Sequence, residues 1–314
     1  MTSLLRKLGL GLLTLWGVSV VIFLLLFWVP RLGANRGQDP TDAMAQAVAG
    51  AHATPETIAN IKRDLGLDKP LIVQYGIFVK NALTNNLRSY RNQDRVFGAI
   101  LRRFPATLLL AATALVIYLG AAIPIALVTA RSEGKFLDRF ALLLALIAVS
   151  LPTFWLGRLL QHYLGYEANL FSVGGSATLW NLPLPALTLG IGGAAYYSRL
   201  LHANLRGVMK QDYIRAARAR GLSETRVLSK HALKNALIPA VAVLGAEFAS
   251  LLSGLIFTEK IFGWPGIGSL AIDSVKNQDV PMIMGTVLFS ALMVVVANIL
   301  VDVAYRVIDP RVRV

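Results

Sequence analysis

Residues 8–30 read "LGLGLLTLWGVSVVIFLLLFWVP", an apolar run with no ionisable side chain. Crossing a bilayer core takes about 20 mostly apolar residues, and this run is long enough. It follows Arg6 and Lys7, as a secretion signal would. However, it exceeds the ~7–15 residues of a signal core, and no small-x-small cleavage site follows it, so it reads as a retained span.

Working outward, five more blocks of the same kind occupy roughly 104–130, 137–164, 183–203, 236–258 and 281–308. Across the 314 residues, 55% are hydrophobic and 15% charged, with a mean hydropathy of +0.59. Soluble domains average about 45–50% apolar and about 25% charged. Backbone exposed to lipid must satisfy its own hydrogen bonds, so the expected fold is an all-α polytopic membrane protein with six transmembrane helices.

The net charge of +14 would suggest nucleic acid in a soluble chain. No base-stacking motif or recognition fold accompanies it, and topology accounts for much of it. Short cytoplasmic loops collect Lys and Arg. With the N-terminus inside, the inner segments hold Arg6 and Lys7; Arg131, Lys135 and Arg139; the run from Arg199 to Lys234; and Arg306, Arg311 and Arg313. The outer loop 165–181 holds none, and 259–280 holds only Lys260 and Lys276. Both termini are therefore expected in the cytoplasm. The basic residues of 31–103 do not count against this, because loops beyond about 60 residues escape the rule.

The expected organisation is 1–30 as tail and first span, 31–103 as an extracytoplasmic loop with short helices, 104–308 as the core, and 309–314 as a cytoplasmic tail. In the long loop, Thr54-Pro55-Glu56 reads as an N-cap followed by proline at the first helical position. "ETIANIKRDLGL" continues as a helix with a Gly66 stop. "PLIVQYGIFVKNAL" reads as a second amphipathic helix, with the membrane surface a possible seat for its apolar face. The isolated prolines Pro124, Pro152 and Pro239 lie where they can kink spans.

Chemistry is conspicuous by its absence. Gly134-Lys135 is followed by Phe136, so there is no phosphate-binding G-x-x-x-x-G-K-[ST] loop, and H-E-x-x-H and G-x-S-x-G are missing too. His52, His162, His202 and His231 are scattered, and there is no cysteine, which argues against a metal site, a bound cofactor or an enzyme. Glu247 is the carboxylate nearest mid-membrane, and such residues are functional suspects by default. With Ser250 and Ser253 it marks a possible pathway; a hydrogen bond at a helix interface is the plainer account. Arg158, His162 and Arg199 read as snorkelling residues, and Asp302 with Arg306 as a local ion pair. Small residues from Gly245 to Gly254 favour close helix packing.

The cytoplasmic loop 204–235 contains "DYIRAARARGLSETRVLSKHALKNALIP", Asp212–Pro239. Asp212 can cap a helix start, residues 213–220 make about two turns, and Gly221 ends them. Ser223 can cap the next helix, with Glu224 in its first turn. Tyr213, Ala217 and Arg220/Gly221 share one side with Ala216 beside them, a small-residue strip that another surface could approach closely. Arg215 and Arg218 project from a neighbouring side. The alternative is a solvated loop that sets topology or touches anionic lipid.

This loop resembles the cytoplasmic signature of ABC-importer permeases: a glutamate-alanine-alanine triplet, three residues, glycine, nine residues, then isoleucine-x-leucine-proline. Here the triplet falls on Arg215-Ala216-Ala217, the glycine on Gly221, and the tail on His231, Leu233 and Lys234. The alanines, glycine and leucine match; the glutamate, isoleucine and proline positions do not. "GLDKPLIVQY" (66–75), "RFPATLLLA" (103–111), "SLPTFW" (150–155), "HALKNALIP" (231–239), "EKIFGWPGIG" (259–268) and "DPRVR" (309–313) occur in the order seen in the dipeptide/oligopeptide/nickel permease family, and the resemblance spans nearly the whole chain.

The resemblance implies a type I importer permease, of the kind that forms the first of two related permease subunits. Its expected partners are a paralogous second permease, two ABC ATPase subunits that bind ATP and Mg, an extracytoplasmic substrate-binding protein, and membrane lipid. The helix Asp212, Tyr213, Ile214, Arg215, Ala216, Ala217, Arg218, Ala219, Arg220, Gly221 would be the ATPase-coupling helix. "IFGWPGIG" would lie near the outer gate. Transport would proceed by alternating access, with di- or oligopeptides the expected cargo. A gradient-driven transporter would want paired midplane charges or two similar halves, and an intramembrane enzyme a catalytic pair; neither pattern is visible.

Overall fold

The computed structural model describes residues 2–33, 40–49, 54–175, 179–253 and 255–308. Among these the fold is helical throughout, with one isolated bridge between Arg88 and Arg95. Three helices are long and apolar enough to cross a membrane: Arg6–Leu32, Val96–Arg131 and Val280–Val301. A bent pair, Phe136–Ser150 with Thr153–Glu167, makes a fourth if counted as one span. Their outward faces carry Leu12, Trp16, Val116, Leu143, Ile147 and Leu300, all well exposed. Side chains of that size are costly to leave in water and at home in lipid.

The block 137–164 was expected as one crossing. Instead the chain turns by 102° between its two helices. Pro152 lacks an amide hydrogen and forces the residue before it out of the helical region; Leu151 accordingly sits extended, at φ −75° and ψ 127°. Arg158 and His162 thus belong to the second arm, where His162 Nε2 lies 3.2 Å from Glu167 Oε1. The blocks 183–203 and 236–258 become the helices Pro183–Met209 and Leu233–Ser253. The latter stops short of Phe257, and a new helix, Ile256–Phe262, follows it. Asp302 and Arg306 lie on Val280–Ile308, but their side chains, like the whole of 309–313, fall outside the described residues.

Two compact units divide the chain. The first joins residues 1–107 with 265–295. There Thr54 Oγ1 accepts the Thr57 N–H at 3.3 Å and Pro55 opens the helix Pro55–Asp64, as the residue pattern indicated. Gly66 takes φ +68°, a left-handed turn that suits glycine. Buried Gln74 secures that turn by donating from Nε2 to Leu67 O and Lys69 O at 2.8 and 2.7 Å. The apolar face of Leu71–Leu83 packs on protein: Phe23 meets Phe27, Tyr75 and Phe78 at ring distances of 4.6, 5.3 and 6.4 Å. Ile72 and Leu83 stay exposed on the other side. A helix not anticipated from the sequence, Pro40–Ala49, is tied to Pro55–Asp64 by Lys62 Nζ–Asp42 Oδ1 at 2.7 Å. Asp279, buried, accepts the Ser89 hydroxyl and the Tyr90 N–H. Burial, then the Asp279 charge, pushes the Tyr90 hydroxyl up to about 12.

The second unit joins 108–264 with 296–314. Pro183–Met209 runs through its core, burying Tyr197, Leu201 and Leu205 completely. A Cβ at Gly190 would stand 2.5 Å from Ile117 Cγ2, and one at Gly193 2.7 Å from Tyr118 Cε1. Glycine is what lets these two helices approach so closely. Gly245 does the same against Val301, where a Cβ would come within 1.9 Å.

Candidate functional site

The segment singled out by its alanines and arginines is a well-defined knob. Pro183–Met209 ends, Lys210 and Gln211 turn the chain, and a short helix runs Asp212–Ala219. Gln211, extended at φ −78° and ψ 153°, holds the N-cap position; Asp212 lies in the first turn rather than capping it. Its carboxylate still suits the positive end of the helix, and Arg215 Nη2 approaches its Oδ1 at 3.5 Å. At the other end Gly221 adopts φ +76°. Its N–H bonds Arg218 O at 2.9 Å and the Leu222 N–H bonds Ala217 O at 3.4 Å, closing the last turn. Ser223 then starts the next helix from an extended conformation, without a side-chain cap bond.

Which face is free differs from the expectation. Ile214 is completely buried and Ala217 is 8% exposed, three residues apart and so on one side. Both join a cluster with Leu205, Val227, Leu228 and Ala232. The small size of Ala217 therefore serves the chain's own packing. The exposed surface consists of Asp212, Tyr213, Arg215, Ala216, Arg218, Ala219, Arg220 and Gly221, with Ala216 and Ala219 its low ground and arginines around them.

Side-chain bonds hold the knob in place. Arg218 grips Glu224 with two bonds, Nε to Oε2 at 3.1 Å and Nη2 to Oε1 at 2.7 Å. That fork lowers the Glu224 carboxyl below its usual range and raises the Arg218 guanidinium. Asn235 Nδ2 donates to the Tyr213 hydroxyl at 2.6 Å, and Arg131 Nη1 to Thr225 Oγ1 at 3.2 Å. From Val227 to Ala232 the helix widens into a π-turn before Leu233–Ser253.

The pathway candidates lie on that last helix. Glu247 is half-buried and within electrostatic reach of Tyr118, whose ring meets Tyr197 edge-on at 5.5 Å. The side chains of Ser250 and Ser253 fall outside the described residues. The "IFGWPGIG" stretch folds as the end of Ile256–Phe262, a left-handed Gly263 at φ +60°, and the helix Ile267–Lys276. Gln161 fastens the first of these helices, donating to Val173 O and Ile261 O at 2.7 and 3.2 Å. Among the described residues no group of His, Asp or Glu is arranged to hold a metal ion.

The sequence reading overlooked a buried polar node at the start of Phe136–Ser150, where Asp138, His202 and Thr129 meet. Its only sequence signal was an ionisable residue, His202, within an apolar helix.

Apolar helices that carry a basic, small-residue knob suit a membrane permease. Comparison makes this specific. Residues 122–314 match the family described as "Binding-protein-dependent transport system inner membrane component", and residues 1–111 match "Binding-prot-dependent transport system membrane comp, N-term". The chain belongs to this family and is the permease component of a binding-protein-dependent ABC importer.

Among its relatives is the glutathione transport system permease protein GsiC of Escherichia coli (strain K12), 36% identical over 306 residues, covering 97% of this chain and 96% of that protein. Another is the putative peptide permease protein BRA0408/BS1330_II0405 of Brucella suis biovar 1 (strain 1330), 36% identical over 322 residues, covering 99% and 98%. Among solved structures, the inward-facing MetNI methionine ABC transporter (CY5 SeMet soak crystal form) superposes with a TM-score of 0.57 at 17% identity, over 67% of this chain and 96% of that one. At that identity the likeness speaks to fold.

Proposed function

We propose that this permease imports di- or oligopeptides, with Asp212–Gly221 as the helix through which separate ATPase chains drive it. The observation that supports this most is the finish of the knob. One face, Ile214 and Ala217, is locked into the chain's own core. The opposite face presents Ala216 and Ala219 among Arg215 and Arg220, all exposed among the described residues. A rigid projection with small residues at its crest suits insertion into a groove, and its arginines suit an acidic rim. Force applied there passes into Pro183–Met209 on one side and Leu233–Ser253 on the other.

The remaining partners follow from the family: a paralogous second permease, two ATPase subunits handling ATP and Mg, and an extracytoplasmic binding protein. The proposed topology is six crossings with both termini in the cytoplasm, which puts the knob and the Arg199–Lys234 run on the ATPase side. The peptide cargo rests on the two relatives, one named for glutathione and one for peptides. Glu247, Ser250 and Ser253 are proposed as pathway contacts because they share one helix close to Tyr118 and Tyr197.

The decisive experiment is co-purification of the assembled transporter. Ala216→Trp and Arg220→Glu should release the ATPase chains and abolish ATP-dependent uptake, while the thermal stability of the permease itself is unchanged. Retention of both ATPase chains and of uptake in these variants would sink the docking assignment. Uptake that persists without ATP but collapses with a proton ionophore would replace it with a gradient-driven mechanism.

A further inference from the structure

Between the helices Phe136–Ser150 and Pro183–Met209 runs a groove of about 420 Å³, with Leu142 on one side and Tyr196, Arg199, Ala203 and Arg206 on the other. A single water needs only about 10–15 Å³ of such space, so the groove has room for a polar group of many atoms. Tyr196, Arg199, Ala203 and Arg206 recur every three or four residues and so share one side of their helix. Both arginines are exposed. They stand two turns apart, about 10 Å along the axis, near enough for two long side chains to converge on one anion.

The two arginines are not equally engaged. Arg206 Nη2 meets Glu133 Oε1 at 2.5 Å. The Arg199 guanidinium has no hydrogen bond or ion pair among the described residues. It sits about 15 Å of helix before the end of Pro183–Met209, in a span where a cation is costly without a counter-charge or a polar surface. The carboxylates nearby do not supply one. Glu133 is taken by Arg206, Asp138 is buried with Oδ2 on the Gly134 N–H at 2.9 Å, and neither lines the groove. Segments 131–139 and 196–206 together hold five Lys or Arg residues against two carboxylates, a surplus of three positive charges. The counter-charge that suits Arg199 is therefore an anion from outside this chain.

The flank of the groove says which kind. Beside Leu142 on the same helix, Leu143, Leu146 and Ile147 are large, apolar and about half exposed, a face suited to lipid. A basic groove opening next to such a face fits a molecule with a phosphate at one end and acyl chains at the other. Free phosphate would engage the arginines and leave the apolar flank unused. Basic pockets between spanning helices suit anionic headgroups, and the planar guanidinium fork suits phosphate oxygens.

We propose that this groove seats the phosphate of an anionic phospholipid, in the leaflet nearest the knob, with Arg199 as its principal contact and Arg206 shared between the lipid and Glu133. The bound lipid bridges Phe136–Ser150 and Pro183–Met209, the helix that leads into the knob. The hold on the knob's supporting helix then depends on the composition of that leaflet.

The test reads binding alone, so its outcome is independent of where the ATPase docks and of what is transported. The full chain, delipidated in detergent, is titrated with phosphatidylglycerol or phosphatidylcholine, and bound lipid is counted by native mass spectrometry. One phosphatidylglycerol per chain should be retained at concentrations where phosphatidylcholine is not. Arg199→Gln should weaken that binding about fivefold, the effect of one arginine near an anionic surface. Glu133→Gln frees Arg206 and should tighten it. Lys230→Gln removes an exposed cation outside the groove and should leave it unchanged.

Equal retention of the two lipids, or equal weakening by Arg199→Gln and Lys230→Gln, would reduce the site to a diffuse basic surface and overturn the proposal. Displacement of the lipid by inorganic phosphate would replace it with a soluble-anion site. Displacement by a dipeptide, but not by its C-terminal amide, would make the groove a substrate contact instead.

Discussion

The 40–95 region and the Asp212–Gly221 knob are both small helical elements outside the long apolar helices, yet they are finished in opposite ways. The first is packed closed against its neighbours. Phe23, Phe27, Tyr75 and Phe78 form one aromatic cluster, Gln74 donates to two backbone carbonyls, and Asp279 accepts from a hydroxyl and a backbone N–H. The second is closed on one face only: Ile214 and Ala217 are sunk, while its arginines and small residues are left outside. The contrast separates a part packed to keep its shape from a part that the proposed docking would complete.

The sharpest way to break the comparison is to hollow out the closed element. Phe78→Ala should destabilise the 40–95 region by about 3–5 kcal/mol, read as lost amide-exchange protection over 55–83, while ATPase association is retained. Ile214→Ala should cost about 2–5 kcal/mol and do the reverse, loosening the knob and uncoupling ATP hydrolysis from uptake. Gly221→Ala forces a side chain into φ +76° and should cost about 1 kcal/mol, seen as a modest drop in melting temperature.

The smallest effect belongs to the Arg218–Glu224 fork. Both side chains are 42% exposed, so solvent screening limits Arg218→Ala to less than about 1 kcal/mol. Its sign with pH is fixed. The folded state lowers the Glu224 carboxyl, so the contribution is present above the ordinary carboxylate range and disappears as acid takes the pH through the lowered value. The stability gap between Arg218→Ala and the unmodified chain should therefore close only in strong acid. A gap that widened on acidification would contradict the fork.

Much of this could be read from residues alone. Thr54-Pro55 announced a helix start and Gly66 a stop, because a cap bond and a left-handed turn are local requirements met by local chemistry. Gly221 ended the knob for the same reason. The apolar blocks announced a membrane protein, since no water-facing fold tolerates such runs. Other features depended on distant packing. Pro152 was visible as a possible kink, but a 102° turn requires neighbouring helices to hold both arms. Ala217 looked free because helical spacing shows which residues share a side, not what that side meets; the chain from Val227 to Ala232 returns to cover it.

The sequence by itself determined the class of molecule, the start and stop of the helix Pro55–Asp64 and the address of its basic knob. These follow from hydrophobicity, charge and backbone chemistry over neighbouring residues. Only the tertiary structure decided which face of the knob is spent internally, and that Asp138 meets a histidine 64 positions away. Such pairings arise when separate helices pack, and no local pattern encodes the partner that packing will supply.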